Sequence, residues 1–357
     1  MPTIFCSDKL IKLSEHNTKY HQNQANSGFM INAAIVGLGW WGKNIVNAVQ
    51  GKSDRVRFVR GVSIEPEPVR AFAAQHGLDL STNLADALRD PNVQMVVLAT
   101  PHSLHPSQII GAAKAGKAVF SEKPLALNRA DAISAVEACQ RAGVPLGLGA
   151  NKRFWPSMRE LKRVVSGGEL GEILHIEGHY SNQNSSKFFA AWRDSPNEAP
   201  GGAMTGTALH VLDAFVNLLG PVRRVNAQFF SRRPPPDPLD TISVMLEFSN
   251  GASGVLASMR ATPFYWRVHA FGTAGSAEAL GENVFIIRHG NGHTRQETLA
   301  PVDSLRAELD AFVESIVGQK PPPIPATQMI DTVAAFEASI TSINNRMPTM
   351  VGATSSA

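Results

Sequence analysis

The chain has 357 residues, of which 43% are hydrophobic and 18% charged, and its formal net charge is +3; this is typical of a globular protein with room for two domains. The charge is spread without a run of Lys and Arg, so neither nucleic acid nor an acidic membrane surface is an expected partner. No segment approaches the roughly 20 apolar residues that a membrane span needs.

The first 29 residues are set apart by their composition. Residues 9–26 are polar and rich in Asn, Gln, His and Lys, and they contain no apolar stretch of signal-peptide length. We therefore expect residues 1–29 to be a flexible tail of a cytoplasmic protein. Cys6 lies in this tail and Cys139 in a predicted helix, so the sequence offers no disulfide framework, which fits a reducing compartment.

Between residues 30 and 150, short apolar segments alternate with helical ones. The predicted strands cover residues 33–37, 58–64, 95–99, 118–121 and 145–149. The predicted helices cover residues 43–50, 68–76, 84–88, 106–115 and 129–142. This alternation predicts an α/β domain with a doubly wound parallel sheet, the Rossmann arrangement.

The pattern changes after residue 150. A helix over 156–166 precedes predicted strands at 173–181, 222–231, 241–248, 254–259, 267–271, 277–280 and 284–289. Further helices are predicted at 204–219, 304–317 and 326–344, with a proline-rich loop at 232–238 and a tail at 346–357. Residues 151–345 therefore form a second α/β domain with a mostly antiparallel open sheet. One face of that sheet lacks helices to cover it, so we expect a homodimer or homotetramer.

The most specific local pattern is G-x-G-x-x-G directly after the first predicted strand. Its residues are Gly37, Leu38, Gly39, Trp40, Trp41 and Gly42. The first glycine allows the tight turn, the second lets the backbone approach a pyrophosphate, and the third lets the next helix pack closely. The flanking strand and amphipathic helix favour dinucleotide binding over a structural turn. Each tryptophan either lines the site where the ligands bind or fills the core.

The second strand bears on the choice between NAD and NADP. An acidic residue that binds the adenosine ribose is expected about 20 residues after the glycines. Ser63 stands there, with Glu65 two residues further on. Serine neither binds a ribose diol in bidentate fashion nor repels a 2′-phosphate, and Arg60 and Arg70 are near in sequence. Both cofactors remain candidates, with a slight preference for NADP.

Several motifs further along the chain share their order and spacing with one family. Residues 99–105 read Ala-Thr-Pro-His-Ser-Leu-His, and residues 115–126 read Ala-Gly-Lys-Ala-Val-Phe-Ser-Glu-Lys-Pro-Leu-Ala. Residues 167–173 read Gly-Gly-Glu-Leu-Gly-Glu-Ile, and Gly-Gly-Ala at 201–203 leads to His-Val-Leu-Asp at 210–213. Over residues 30–345 the chain resembles the Gfo/Idh/MocA oxidoreductases. The resemblance implies hydride exchange between a nicotinamide and a carbinol carbon.

Such an oxidation needs a group that accepts the hydroxyl proton while the nicotinamide accepts the hydride. The resemblance implies this role for Lys123, which follows a predicted strand at the carboxyl edge of the sheet, where doubly wound domains bind ligands. It also implies that Glu122 contacts the nicotinamide ribose or carboxamide, and that the Lys123–Pro124 peptide is cis. His210 matches the other proton-transfer residue of the family. Thr100, Pro101 and His105 match positions near the nicotinamide, where packing by His105 is as plausible as chemistry.

One position departs from the family pattern. Many members carry an Asp four residues before the histidine, and here that position is Gly206. Thr205 or Thr207 could supply a hydroxyl instead, and Asp213, which shares a helix face with His210, could orient the imidazole or contact substrate. Further substrate-binding candidates in the second domain are Arg153, Trp192 and Arg193. An arginine there suits bidentate binding of a substrate carboxylate.

The sequence therefore predicts an NAD(P)-dependent dehydrogenase that acts on a polyol, sugar or hydroxylated carbocycle, with an acid group as an option. No Cys/His spacing predicts a metal site. Two alternatives stay open: a glycoside hydrolase that uses a tightly held NAD, and a catalytically silent nicotinamide-binding regulator. The missing carboxylate at Gly206 favours the regulator, whereas retention of Lys123 and His210 argues against it.

Overall fold

A computed structural model describes residues 30–183, 192, 195–232, 234, 237 and 239–352 of the chain. The predicted tail at 1–29 and the candidate Arg193 lie outside the described residues, as does part of the proline-rich loop at 232–238.

The N-terminal part is a six-stranded parallel sheet with the strand order β3-β2-β1-β4-β5-β6, which confirms the predicted Rossmann arrangement. Its strands are β1 (Ile31–Val36), β2 (Val56–Val62), β3 (Asp79–Ser81), β4 (Met95–Leu98), β5 (Ala118–Glu122) and β6 (Leu146–Gly149). Its helices are α1 (Trp40–Val49), α2 (Arg70–Gln75), α3 (Leu84–Arg89), α4 (His105–Lys114) and α5 (Arg129–Ala142). Reversal of strand order at β1 and β4 opens the crevice where such sheets bind ligands.

Local sequence explains these elements. Strand β4 is apolar throughout because both of its faces are buried. Helix α5 begins after Asn128, whose side chain accepts a hydrogen bond from the Asp131 amide, and ends at Gly143 in a left-handed conformation. Helix α1 begins three residues earlier than predicted, inside the glycine loop.

The second domain is built on a nine-stranded sheet of described residues. Helix α6 (Pro156–Ser166) precedes β7 (Ile173–Ser181), and a π-helical turn (Met204–Ala208) runs into α7 (Leu209–Leu219). The remaining strands are β8 (Val222–Phe230), β9 (Thr241–Phe248), β10 (Ser253–Met259), β11 (Tyr265–Gly272), β12 (Gly275–Leu280), β13 (Val284–His289), β14 (Thr294–Thr298) and β15 (Thr349–Met350). The order is β14-β13-β12-β11-β7-β10-β9-β8-β15. Among the described strands of this second sheet, only β7 and β10 pair in parallel, so the prediction of a mostly antiparallel sheet is confirmed.

Three strands of the described chain were not predicted. Strand β3 has three residues, and β14 is a polar strand at the edge of its sheet. Strand β15 has two residues and lies within the predicted tail at 346–357, where it pairs with β8. Short or polar edge strands carry little of the apolar alternation from which strands are predicted.

The last two helices, α8 (Ser304–Val317) and α9 (Ala326–Asn345), return to the first domain. Phe312 of α8 packs in the core of one face of the Rossmann sheet, with its ring 5.6 Å from that of Phe120. Met329 and Val333 of α9 pack in the core of the other face, and Phe336 of α9 reaches the core of the second domain. Side chains from beyond residue 303, which the prediction assigned to the second domain, therefore complete the core of the first.

No helix in the described part of the chain is both long and apolar enough to cross a membrane.

Candidate active site

The glycine loop has the geometry that a dinucleotide requires. Gly37 adopts φ +94°, and a Cβ atom on it would lie 2.6 Å from the Ala99 carbonyl oxygen. A Cβ atom on Gly42 would lie 1.9 Å from the Gly37 carbonyl oxygen, so α1 packs against the loop only without a side chain there. A Cβ atom on Gly39 would meet nothing within 4 Å, which leaves open space against the loop backbone.

Helix α1 offers a site for an anion at its first turn. Gly39 is the N-cap residue, no side chain caps the helix, and the first turn contains no acidic residue. The first backbone amides of a helix lack intrahelical partners, and the helix dipole favours negative charge there. Together with the open space at Gly39, this fits a pyrophosphate. The side chain of Leu38 is buried in the core, so only its backbone is available to a dinucleotide.

Both tryptophans of the loop line the cleft between the domains. Trp40 is 50% exposed, and its ring centroid lies 5.4 Å from that of Trp41. Trp41 also packs against the core of the Rossmann sheet, and its buried Nε1 has no hydrogen-bond partner among the described residues. Trp41 thus both lines the cleft and packs in the core, which are the two roles expected for these tryptophans.

The position at the end of β2 where a carboxylate is expected to bind the adenosine ribose is occupied by a serine. Ser63 directly follows β2, and its hydroxyl donates to the Glu65 carbonyl oxygen. Arg60 pairs with Asp79 and Asp90, and Arg70 pairs with Glu67. The two arginines that favoured NADP are therefore engaged by carboxylates.

The cleft has a volume of about 270 Å³ and brings together residues from both domains. The lining residues that matter for chemistry are Trp40, Trp41, Thr100, His102, His105, Glu122, Lys123, Lys152, Trp155, Tyr180, Asn182, Gly206, His210 and Glu282. The glycine loop, Lys123 and His210 thus meet at one site, although their motifs are spread over more than 170 positions of the chain.

Lys123 lies immediately after β5, at the carboxyl edge of the sheet. Its peptide bond to Pro124 is cis, as the resemblance implied. Its Nζ atom donates to the Gly206 carbonyl oxygen over 3.4 Å, so the backbone contacts the lysine at the position where many relatives carry an Asp. Glu122, the last residue of β5, is buried beside Gly149, where a Cβ atom would lie 2.7 Å from its Oε1. The absence of a side chain at Gly149 makes room for this carboxyl.

His210 lies in the first turn of α7, just after the π-helical turn that contains Gly206. Such π-helical turns occur frequently at functional sites. The imidazole packs against the Tyr180 ring in a T-shaped arrangement, with the centroids 5.6 Å apart. Asn182 donates to the Tyr180 hydroxyl over 2.9 Å, so β7 forms the wall of the cleft beside His210.

His105 links the loops that follow two neighbouring strands. It is fully buried, and its ring nitrogens lie 2.8 Å from the Pro124 carbonyl oxygen and 3.0 Å from the Thr100 carbonyl oxygen. These contacts hold the Lys123–Pro124 segment against the end of β4, so the geometry favours a positioning role.

The second domain also contacts the first through residues near the cleft. The Trp192 ring meets the His102 ring edge-on at 5.1 Å. The Glu198 carbonyl oxygen lies 2.6 Å from His102 Nδ1, and the Ser103 amide donates to the Glu198 carboxylate over 3.0 Å. Trp192, a predicted substrate-binding residue, is thus placed against the wall of the cleft that His102 contributes.

Arg153 and Asp213, two further predicted substrate-binding residues, are bound to each other. The guanidinium donates from Nε and Nη2 to the two carboxylate oxygens of Asp213 over 2.8 and 2.7 Å. Its third nitrogen, Nη1, donates to Gln328. Because this buried ion pair occupies the guanidinium, the expectation that Arg153 binds a substrate carboxylate needs correction.

Thr207 is likewise directed away from the cleft. Its hydroxyl donates to the Ala203 carbonyl oxygen over 3.1 Å and accepts from Ser258 over 2.6 Å, and the residue is buried. Thr205 donates to the Pro200 carbonyl oxygen. Neither threonine is placed where it could replace the missing carboxylate.

Lys152, the neighbour of Arg153, was not among the predicted site residues. Its Nζ atom lies 4.1 Å from the Trp155 ring centroid, 4.5 Å from that of Tyr180 and 5.5 Å from that of Trp266. Burial lowers the pKa of Lys152 to about 7, although Glu282 and Glu308 oppose the shift. The aromatic residues resembled ordinary core positions in sequence, and nothing near Glu282 marked it as part of a site.

Glu308 of α8 forms a buried carboxyl behind this wall. Burial, reinforced by the nearby Glu122, raises the pKa of Glu308 well above its usual range. The Ala150 amide donates to the carboxyl, and its Oε2 has no partner among the described residues. Burial of this kind favours the protonated, neutral form of the carboxyl.

Comparison with known families agrees with this geometry. The family model described as "Oxidoreductase family, NAD-binding Rossmann fold" matches residues 31–150. The model of the GFO/IDH/MocA C-terminal domain matches residues 158–278. The chain belongs to the Gfo/Idh/MocA oxidoreductases. It is an NAD(P)-dependent oxidoreductase built on the two domains of that family.

Individual relatives are distant in sequence. The chain is 28% identical over 267 residues to scyllo-inositol 2-dehydrogenase (NAD(+)) of Bacillus subtilis, covering 69% of this chain and 72% of the relative. It is 28% identical over 256 residues to 2,7-anhydro-N-acetylneuraminate hydratase of Escherichia coli, covering 69% and 67%. The WlbA dehydrogenase of Bordetella pertussis, solved with NADH and UDP-GlcNAcA, superposes with a TM-score of 0.80 over 92% of this chain and 100% of that chain at 24% identity. At that identity the superposition shows the shared fold alone.

Proposed function

We propose that this protein is a dehydrogenase that oxidises a carbinol of a sugar, polyol or hydroxylated carbocycle, with Lys123 and His210 as the proton-transfer residues. The observation that carries the proposal is the meeting of the glycine loop, Lys123 and His210 at one cleft. The named activity of the inositol dehydrogenase relative supports the substrate class.

The roles of the residues follow from their positions. A bound nicotinamide accepts or returns the hydride. Lys123 takes the hydroxyl proton at its Nζ, and the Gly206 carbonyl oxygen orients that atom from the opposite domain. His210, which packs against the Tyr180 ring, contacts the same hydroxyl and serves as the second proton-transfer group. Gly37, Gly39 and Gly42 shape the loop that carries the pyrophosphate, and Glu122 lies on the nicotinamide side of the cleft.

We further propose that the enzyme discriminates weakly between NAD and NADP. Ser63 supplies no carboxylate for a 2′-hydroxyl, and the nearby Arg60 and Arg70 are paired with carboxylates and so do not favour a 2′-phosphate. The slight preference for NADP inferred from the sequence thus loses its main support.

The test is a spectrophotometric screen for reduced nicotinamide with paired substrates: inositols, aldoses, their acids and cyclic diols, each with NAD⁺ and NADP⁺. Turnover that disappears in Lys123→Met and persists in Lys117→Met supports the proposal. Lys117 is a matched control, because it lies in the same domain and donates to the Asp90 and Val93 carbonyl oxygens. Turnover that persists in Lys123→Met contradicts the assigned role of the lysine.

A second candidate function rests on the relative named as a 2,7-anhydro-N-acetylneuraminate hydratase. In such chemistry the hydride would be returned within one cycle, so no reduced cofactor would accumulate. Protein that copurifies with nicotinamide, consumes an anhydro sugar or glycoside and shows no net formation of reduced nicotinamide would favour this function over the dehydrogenase. A silent regulator would bind the cofactor and convert none of the probes.

We also propose a homodimer or homotetramer formed through the face of the nine-stranded sheet that lacks helices. Met245 on β9 is 63% exposed and Val255 on β10 is 38% exposed, and the two residues are cross-strand neighbours. Size-exclusion chromatography with light scattering would test this. Met245→Lys should shift the protein towards the monomer, whereas a monomeric wild-type protein would contradict the proposal.

A further inference from the structure

Lys152 is placed in the cleft as a cation without an internal counter-ion. It is 8% exposed, and in the part of the chain that the structure describes no carboxylate lies within 4.0 Å of its Nζ atom. Its contacts are the faces of Trp155, Tyr180 and Trp266. Aromatic rings attract a cation, but they do not neutralise its charge.

The surrounding titratable groups compensate that charge only in part, since burial outweighs the opposing effects of Glu282 and Glu308 on the pKa of Lys152. Glu282, in the turn between β12 and β13, is exposed at the cleft, where solvent screens it. Glu308 on α8 is buried, and burial raises its pKa, which favours its neutral form. Burial also raises the pKa of Tyr180 to about 12, so it is an uncharged phenol. The adjacent Arg153 and Asp213 neutralise one another. The other titratable groups that line the same cleft are His102, His105, Glu122, Lys123 and His210.

We infer that Lys152 binds a carboxylate of the substrate, so that the enzyme acts on a sugar acid in preference to a neutral polyol. The inference rests on the proposed dehydrogenase function, because Lys152 lines the same cleft as Lys123 and His210. A buried ammonium beside an anion forms a strong charge-assisted hydrogen bond. The aromatic walls hold the lysine stem in place and exclude the water that would weaken this bond.

A linked uptake of protons distinguishes this interaction from ordinary sugar binding. With a pKa of about 7, much of Lys152 is neutral at pH 8. A bound carboxylate favours the charged form, so binding at pH 8 draws a proton from the buffer. The binding of a neutral polyol is not linked to proton uptake in this way.

The experiment is isothermal titration of the protein saturated with NADH, using D-glucuronate against D-glucose and D-gluconate against D-glucitol. At pH 8, in two buffers of different ionisation enthalpy, we expect each acid to bind at least about tenfold more tightly than its neutral partner and to take up close to one proton. Lys152→Met should abolish both the preference and the proton uptake. Lys162→Met should retain both, because that half-buried lysine donates to the Asn217 carbonyl oxygen outside the cleft-lining set.

Equal affinity for acids and neutral partners, or a preference that survives in Lys152→Met, overturns the inference. If Lys152→Met fails to fold or to bind NADH, Lys152→Gln replaces it, and the wild-type affinities and proton uptake decide in any case. The titration needs no turnover. Acid binding with proton uptake in a protein that reduces no nicotinamide would support the carboxylate site and count against the dehydrogenase. Turnover of neutral polyols alone would support the dehydrogenase and count against the carboxylate site.

Discussion

The Nζ atom of Lys123 donates to the carbonyl oxygen of Gly206 across the boundary between the two domains. The lysine at the edge of the Rossmann sheet is therefore oriented by the π-helical turn of the second domain. Because this acceptor is a backbone atom, the contact does not depend on the carboxylate that many relatives carry at the same position.

We expect Lys123→Met to lower kcat by about 10²–10⁴, the usual contribution of a positioned general base, while NADH affinity changes little. Stopped-flow measurement of hydride transfer, together with NADH fluorescence titration, checks this. A loss of NADH affinity as large as the loss of kcat would place the role of Lys123 in cofactor binding.

Gly39→Ala and Gly42→Ala form a matched pair within one loop. A Cβ atom at Gly39 meets nothing, so Gly39→Ala should leave the melting temperature almost unchanged but weaken dinucleotide binding at least tenfold by blocking the backbone. A Cβ atom at Gly42 overlaps the Gly37 carbonyl oxygen, so Gly42→Ala should destabilise the fold itself, by several degrees or more. Thermal unfolding with and without NADH separates the two effects. Equal melting temperatures for the two variants would contradict this account.

The buried pair of Arg153 and Asp213 should matter for stability. Asp213→Ala leaves an uncompensated buried guanidinium and should cost about 3–5 kcal/mol of unfolding free energy. The exposed pair of Arg141 and Glu137 on α5 is the control, and Glu137→Ala should cost less than about 1 kcal/mol. Urea unfolding measures both. A small effect of Asp213→Ala would mean that water reaches the arginine.

Lys152 gives a pH dependence with a defined sign. Its pKa is about 7 in the folded protein against 10.5 for the free side chain, so the unfolded chain binds more protons between these values. Burial of this lysine therefore lowers the free energy of unfolding. This destabilisation is complete below pH 7 and decreases as the pH rises from 7 to 10.5. Lys152→Met should stabilise the protein by on the order of a few kcal/mol at pH 6 and by less at pH 9. Urea unfolding at the two pH values tests this, and a loss of stability at pH 6 would refute it.

Ser63→Asp tests the adenosine ribose site. A carboxylate at this position binds the ribose diol and repels a 2′-phosphate, so the ratio of kcat/KM for NAD⁺ to that for NADP⁺ should rise at least about tenfold. Ser81→Asp, at the end of the neighbouring β3, controls for added negative charge. An unchanged ratio in Ser63→Asp would place the ribose elsewhere.

The sequence predicted those parts of the fold whose signals are local. The predicted range of helix α5, residues 129–142, matches the observed helix, whose ends are marked by Asn128 and Gly143. Strand β7 alternates between buried and more exposed positions along most of its length. The positions of Lys123 and His210 followed from motifs with fixed spacing. By contrast, the pairing of Arg153 with Asp213 joins residues 60 positions apart, and no local pattern distinguishes an arginine that faces a ligand from one that faces a buried carboxylate.

The same limitation applies to the wall of the cleft that contains Lys152. Trp155 and Tyr180 occupy apolar positions of their elements, so their sequence pattern is that of core residues. Their second role, as faces against a buried amine, arises only when the turn after β6 is packed against β7 and β11. Long-range packing of this kind leaves no periodicity in the sequence.

The contribution of α8 and α9 to the Rossmann core has a consequence for synthesis of the chain. Leu309 and Phe312 complete one face of the nucleotide-binding sheet, and Met329 and Val333 complete the other. These side chains are translated after the rest of the nucleotide-binding domain. The domain that is translated first therefore cannot close its core until residues 304–345 have left the ribosome, and its apolar faces stay available to chaperones until then.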